Sequence, residues 1–371
     1  MTPVFPSVDQ IALPAPVWLL QFLSALTFVL HIIPMNFVLG GGLIAAVAGW
    51  VGRSKALPEY EQLAETLAKV LPVATAASIT LGIPPLLFLQ ALYGPMFYTS
   101  SVLMAWPWLS VIAILMVGYY AYYYMALRKT DTPFPLWAGV VSSISFILIA
   151  YLYTNNMLLM IQPEHFWSMW KQKAMGMMLH PGDPVLWPRF LHFLVGAIAV
   201  SGLLVMTIGL AKRRTDQLLY QTGLKIGGLI FTVATVVQFG IGTWQLIALK
   251  GELLRAFMGG DVYATALFMV GLSTALVALM LILVAALGRA PVLMTIAGSS
   301  AILVTIVLMS LMRAFVRDAY LGGRFLVAQQ PVIPQWSAVI VFLVLMVGGI
   351  AVVGWMVHAV VTRRGMDGAV R

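Results

Sequence analysis

The chain is expected to fold as an all-α polytopic membrane bundle of about nine transmembrane helices, and three observations lead there. Of its 371 residues 61% are hydrophobic and only 9% charged, with mean hydropathy +0.98. Most of the sequence lies in apolar runs longer than the roughly 20 residues that span a hydrocarbon core about 30 Å thick. No ten-residue stretches alternate apolar and polar, as the strands of a membrane barrel must.

Nine spans are read, at 15–50, 68–95, 101–127, 134–161, 188–211, 224–249, 262–287, 291–313 and 335–361. The first is long enough to tilt or to begin above the membrane. Pro84 and Pro85 interrupt the second. Between spans four and five the loop 162–187 carries Trp167, Trp170, Met175, Met177 and Met178 among Lys171, Lys173 and His180, which reads as an amphipathic segment in the interface. No loop is long enough to fold alone, so 1–371 is taken as one transmembrane unit.

The cations set the orientation. Arg53, Lys55, Lys69, Arg128, Lys129, Lys212, Arg213, Arg214, Lys225, Arg289, Arg363, Arg364 and Arg371 fall on one side, against the smaller set Lys171, Lys173, Arg189, Lys250, Arg255, Arg313, Arg317 and Arg324 on the other. The positive-inside rule makes the first side cytoplasmic, which puts the N-terminus outside and the C-terminus inside. The net charge of +9 then follows from topology and anionic lipid and gives no reason to expect nucleic acid as a partner. The N-terminal stretch carries prolines and lacks a basic n-region, so no cleavable signal peptide is expected. With no cysteine, the chain itself has no disulfide, thiolate chemistry, Fe–S cluster or covalent c-type haem.

No Asp or Glu lies inside any expected span, yet His31 and His192 do. An intramembrane imidazole with no acid beside it suits metal ligation better than proton exchange. Entering from the outside near Pro188, span five puts His192 roughly 6 Å deep, and span seven, entering near Val262, puts Met269 roughly 10 Å deep. A histidine and a methionine at one depth are an axial pair for haem iron; the alternative for Met269, one of 22 methionines, is simple packing. His31 lies near mid-membrane. His358 sits near the inner end of span nine, and His165 and His180 belong to the outer loop. Arg313 and Arg317, one turn apart near the outer end of span eight, stand where a haem would expose its propionates; otherwise they snorkel to water.

These residues carry a resemblance. Leu20-Gln21-Phe22 ahead of His31 with Gly40 beyond, Asn155 in span four, Trp187-Pro188-Arg189-Phe190-Leu191-His192, Leu267-Phe268-Met269-Val270, and Arg313-Ala314-Phe315-Val316-Arg317-Asp318 together resemble the large subunit of the cytochrome bd quinol oxidase family. The resemblance implies haem b on His192 and Met269, a second haem on His31, and Arg317 on a propionate. It also departs from the family. Ala314 stands where the family has a glutamate, and 102–128 lacks the two glutamates of the family's third span. Those acids serve oxygen reduction.

The family's long quinol loop between spans six and seven is missing too, and Trp244–Asp261 takes its place. There Lys250, Glu252 and Arg255 are the quinone-site candidates, a carboxylate taking the quinol proton and a cation holding a quinone oxygen. The reading that follows is a haem b subunit, multi-pass in a bacterial inner membrane. It would pass electrons between the quinone pool and a periplasmic multihaem c-type cytochrome or Fe–S partner, without oxygen reduction. A true quinol:oxygen oxidoreductase subunit is the alternative of the same class. A secondary transporter would need paired helix breaks and polar midplane groups, and a purely structural anchor would leave the histidines as satisfied polar groups.

Overall fold

The computed structural model describes residues 12–128, 132–172, 175–322 and 324–366. Lys129, Lys173 and Arg371, which entered the orientation above, lie outside the described residues, as do the side chains of His358, Arg363 and Arg364. All regular structure among the described residues is helical; one isolated bridge joins Leu13 to Val332.

The chain runs through α1 Val17–Lys55, α2 Pro58–Leu103, α3 Ala105–Leu127, α4 Leu136–Met160, the short α5 Phe166–Lys171, α6 Leu186–Ala211, α7 Gln217–Ile247, the one-turn α8 Gly251–Arg255, α9 Val262–Ala286, α10 Pro291–Leu321 and α11 Trp336–Met366. Eight of these are long and apolar enough to cross a membrane, and α11 is apolar over Trp336–Val352. Every expected span finds its helix.

Two spans are longer than expected for the same reason: charge does not end a helix. α2 begins with Pro58 at its first turn and Glu59 and Glu61 beside it, which suits the positive end of a helix dipole. It runs on past Pro84 and Pro85 and breaks only at Tyr93, where Pro95 two residues on cannot donate to the Ala91 carbonyl. α10 passes through Arg313 and Arg317 to Leu321 because both arginines turn into the bundle. Inside α1, Pro34 is followed by a π turn at Phe37–Gly41, where the chain absorbs the lost backbone hydrogen bond.

α1 to α4 pack on one another, and α6, α7, α9 and α10 form the second half, with α6 against the middle of α1. Small residues make the close crossings possible. A Cβ on Gly40 would sit 2.3 Å from the Ala197 carbonyl oxygen, and one on Gly209 would sit 3.0 Å from the Gly223 Cα. In lipid, where apolar burial alone does not drive helices together, such backbone contact supplies the packing.

Leu13 exchanges backbone hydrogen bonds with Pro331 and Ile333, and Glu164 reaches both Lys250 and Arg324. The segment before α1 and the loops after α4, α7 and α10 therefore gather at one end, as alternating spans require. This is the end assigned to the outside. Arg189, Arg313 and Arg317 lie within helices of the bundle rather than in these loops, so the loops themselves are poorer in cations than the sequence count suggests.

Candidate functional site

His31, on α1, faces α2. Its Nδ1 lies 2.9 Å from the Ser78 carbonyl oxygen, an atom that only accepts, so Nδ1 carries the proton and Nε2 keeps its lone pair. Gly82 makes the approach possible: a Cβ there would meet the imidazole Cε1 at 2.9 Å. The ring forms part of the wall of a cavity of about 500 Å³, which is also lined by Gln21 and Phe28 of α1, Tyr153 and Met157 of α4, and Arg313, Arg317 and Asp318 of α10. That volume lies within the range of small-molecule and cofactor sites.

The cavity is graded in charge. His31 marks its deep end. Phe28 is one turn nearer the outside, and the Arg313 guanidinium stacks over it at 4.3 Å. One turn further out, Arg317 lies over the Tyr93 ring at 4.2 Å, with its Nε 3.6 Å from Asp318 Oδ1. The Tyr93 hydroxyl donates to that same carboxylate oxygen at 2.5 Å. Arg317 Nε is buried without a hydrogen-bond partner. An imidazole lone pair below and two guanidinium groups above suit an iron porphyrin, which needs an axial nitrogen at its centre and cations at its propionates. An axial histidine commonly donates its other ring nitrogen to a carbonyl, as His31 does to Ser78.

His192 sits nearly two turns inside α6. Its Nδ1 is buried with no hydrogen-bond partner, and its ring faces α7, where a Cβ on Gly242 would lie 3.3 Å from Cε1. Gln238 of α7 donates to the His192 carbonyl at 2.7 Å and leaves its own Oε1 buried and unpaired. These two orphaned atoms leave a nitrogen lone pair or N–H and an amide oxygen unsatisfied on the α6–α7 face, where a polar or metal-bearing group would find partners.

The structure places His192 and Met269, the expected pair, on different helices, α6 and α9. Met269 is 47% exposed and shares an outward stripe of α9 with Val262, Val270 and Val277, while Leu267 and Gly271 are buried on the opposite side. Arg313 and Arg317 line the cavity of His31, which neither His192 nor Met269 lines.

The three charges after α7 are dispersed. Lys250 Nζ is 3.3 Å from Glu164 and 4.5 Å from the Tyr320 ring centre, whereas Glu252 and Arg255 are exposed on α8. Glu164, unremarked in the sequence, is the hub of this end: Arg324 binds its other oxygen at 2.7 Å. Partial burial alone would raise its pKa, but its own backbone N–H and the Lys250 and Arg324 charges hold the carboxyl below its ordinary value.

Beside it the rings of His165 and His180 lie 5.1 Å apart. Desolvation chiefly, and the His165 charge besides, push the His180 imidazole down from its ordinary value against the pull of Asp183. Asn155 is a loop anchor, accepting from the His180 backbone N–H at 3.3 Å. Among the described residues no three His, Asp or Glu side chains gather as a metal site.

An all-helical membrane bundle with one histidine-and-arginine cavity is thereby defined. No family model matches the sequence, and no curated protein matches it. Among solved structures the chain is similar to the bd oxidase from Geobacillus thermodenitrificans, with TM-score 0.70 and 14% identity over 95% of this chain and 100% of that one. At that identity the likeness establishes the fold, which is that of a bd oxidase chain.

Proposed function

We propose that the protein is a haem b membrane subunit of a respiratory complex, passing electrons between the quinone pool and a redox partner at its outer face. The observation that carries this reading is the His31 imidazole. It is held through Nδ1 by the Ser78 carbonyl, with its lone-pair nitrogen free in a cavity that Arg313 and Arg317 close from above. When bound, the haem supplies a one-electron carrier at membrane depth. His31 would hold its iron through Nε2, and Arg313 and Arg317 would hold its carboxylates and favour electron uptake by their charge. The apolar wall of Phe28, Leu86, Leu89 and Met157 excludes water. A second haem would be held by His192, with Met269, on the outward face of α9 here, as its candidate partner.

Quinone or quinol would meet the protein at the outer end, where Glu252 and Arg255 are exposed. Lys250, half-exposed and paired with Glu164, keeps further ammonium N–H groups to offer a quinone oxygen. With no cysteine in this chain, a c-type haem or Fe–S centre that exchanges electrons with it would lie on another chain, a periplasmic multihaem c-type cytochrome or Fe–S protein, in a bacterial inner membrane. The cavity's one acidic lining residue, Asp318, is already tied to Tyr93 and Arg317. This supports electron transfer without oxygen reduction.

The bd oxidase fold supports a second reading, a quinol:oxygen oxidoreductase subunit, and oxygen uptake with quinol separates the two. The primary test is the reduced-minus-oxidised spectrum of the purified protein beside that of His31→Ala. Loss of one b-type component in the variant is expected. An identical spectrum in the two would overturn the assignment to His31.

A further inference from the structure

Arg189 has no place in the account so far, and its position is unusual. It lies in the first turn of α6, is only 8% exposed, and has no carboxylate oxygen within salt-bridge distance among the described residues. Asp183, the nearest acid by chain position, is taken by Gln162 Nε2 and the Val185 backbone N–H, each at 2.7 Å. Tyr320 and Asp183 lie within electrostatic range of Arg189, and so do the cations Arg313 and Arg317, so Asp183, already shared, has more than one positive charge to compensate. Three guanidinium groups thus share one buried region at the outer end of α6 and α10, with Asp318 at its exposed edge. A buried cation is costly unless an anion compensates it.

The register identifies the anion's place. Arg189 precedes His192 by three residues, so it stands one turn above that imidazole on the same face of α6. Arg313 stands in the same relation to His31, through its stacking on Phe28. His31 and His192 therefore each have an arginine one turn toward the outside, and the two arginines lie in one charged region. His192 Nδ1 and Gln238 Oε1, both buried and unpaired, lie on the inner side of this arrangement.

We propose that Arg189 is the carboxylate anchor of a second tetrapyrrole site on His192, binding a propionate there as Arg313 and Arg317 do above His31. This rests on the haem reading and adds a positioning residue to it. It makes the arginine trio a shared ceiling over both sites, through which a change of charge at one is felt at the other.

The test is potentiometric titration of the purified protein with haem content measured alongside, comparing wild type, Arg189→Gln, Arg189→Lys and His192→Ala. Arg189→Met is the second variant should Arg189→Gln not fold, since it removes the buried charge without leaving a polar stub. The expected result is a midpoint potential shifted negative in Arg189→Gln or Arg189→Met, in the component that His192→Ala abolishes. Arg189→Lys, which keeps the charge, should restore most of the shift. Potentials unchanged in a haem-loaded Arg189→Gln or Arg189→Met protein overturn the role of Arg189 and leave the His31 site standing. A wild-type protein that binds no haem overturns both.

Discussion

The His31 imidazole donates from Nδ1 to the Ser78 carbonyl oxygen at 2.9 Å, a bond between α1 and α2 that orients the ring toward the cavity. The contact depends on Gly82 one turn further along α2, whose missing Cβ leaves room for Cε1. Gly82→Ala should displace the imidazole, because an added methyl would meet both Cε1 and Nδ1 at about 3 Å. The expected cost is about 1–3 kcal/mol of overpacking, with a fall in haem-to-protein ratio that thermal unfolding in detergent and pyridine haemochrome assays would register. An unchanged haem ratio would mean that the ring is not held as described.

Helix packing makes an independent prediction. Gly209 and Gly223 let α6 and α7 approach at backbone distance, so Gly209→Leu should force the helices apart and destabilise the second half of the bundle. A loss of about 1–3 kcal/mol is expected in a thermal or denaturant melt, together with poorer retention of whatever is bound at His192. Absorption at the His31 site should be affected less, because α1 and α2 form that wall.

Most of the fold could be read from the sequence, because a bilayer admits few architectures and apolar run length reports directly on span number. Much of the site could not. His31 and the arginines were visible as intramembrane polar groups, whose cost makes them stand out. Which of them meet depends on helix azimuth and crossing, and these follow from contacts such as Gly40 on Ala197 and Gly209 on Gly223 that no single helix encodes. For that reason helical rise can suggest a depth for Met269 but not the direction it faces, which is outward on α9. Glu164 was overlooked because its two cationic partners, Lys250 and Arg324, come from loops far along the chain.

Glu164 supports a pH prediction. Its carboxyl is held below the ordinary value, despite the desolvation that raises it, by its backbone N–H and by Lys250 and Arg324. Its contribution is therefore present above the unfolded value of about 4.3 and is lost as pH falls through the folded value. Glu164→Gln should lower the melting temperature at pH 7, by an amount equivalent to about 0–1 kcal/mol per partly exposed ion pair. The difference from wild type should close as the pH is taken below 4.

His180 is likewise held deprotonated, which for an imidazole is the neutral form. Burial and the neighbouring His165 favour its neutral form. Below the unfolded value of about 6.5 the unfolded chain takes up a proton that the folded chain resists, so stability falls as pH drops from there toward the lower folded value. His180→Gln should remove that slope between pH 7 and 5. Melting curves of the two proteins across this interval check it, and parallel pH profiles would contradict it.

The most direct measurement of the central claim is the reduced-minus-oxidised difference spectrum of purified protein, recorded for wild type and for His31→Ala at matched protein concentration. A b-type spectrum that loses one component in His31→Ala is the expected result. A wild-type protein without haem absorption, or a variant with undiminished bands, would contradict the assignment of His31 as an axial ligand.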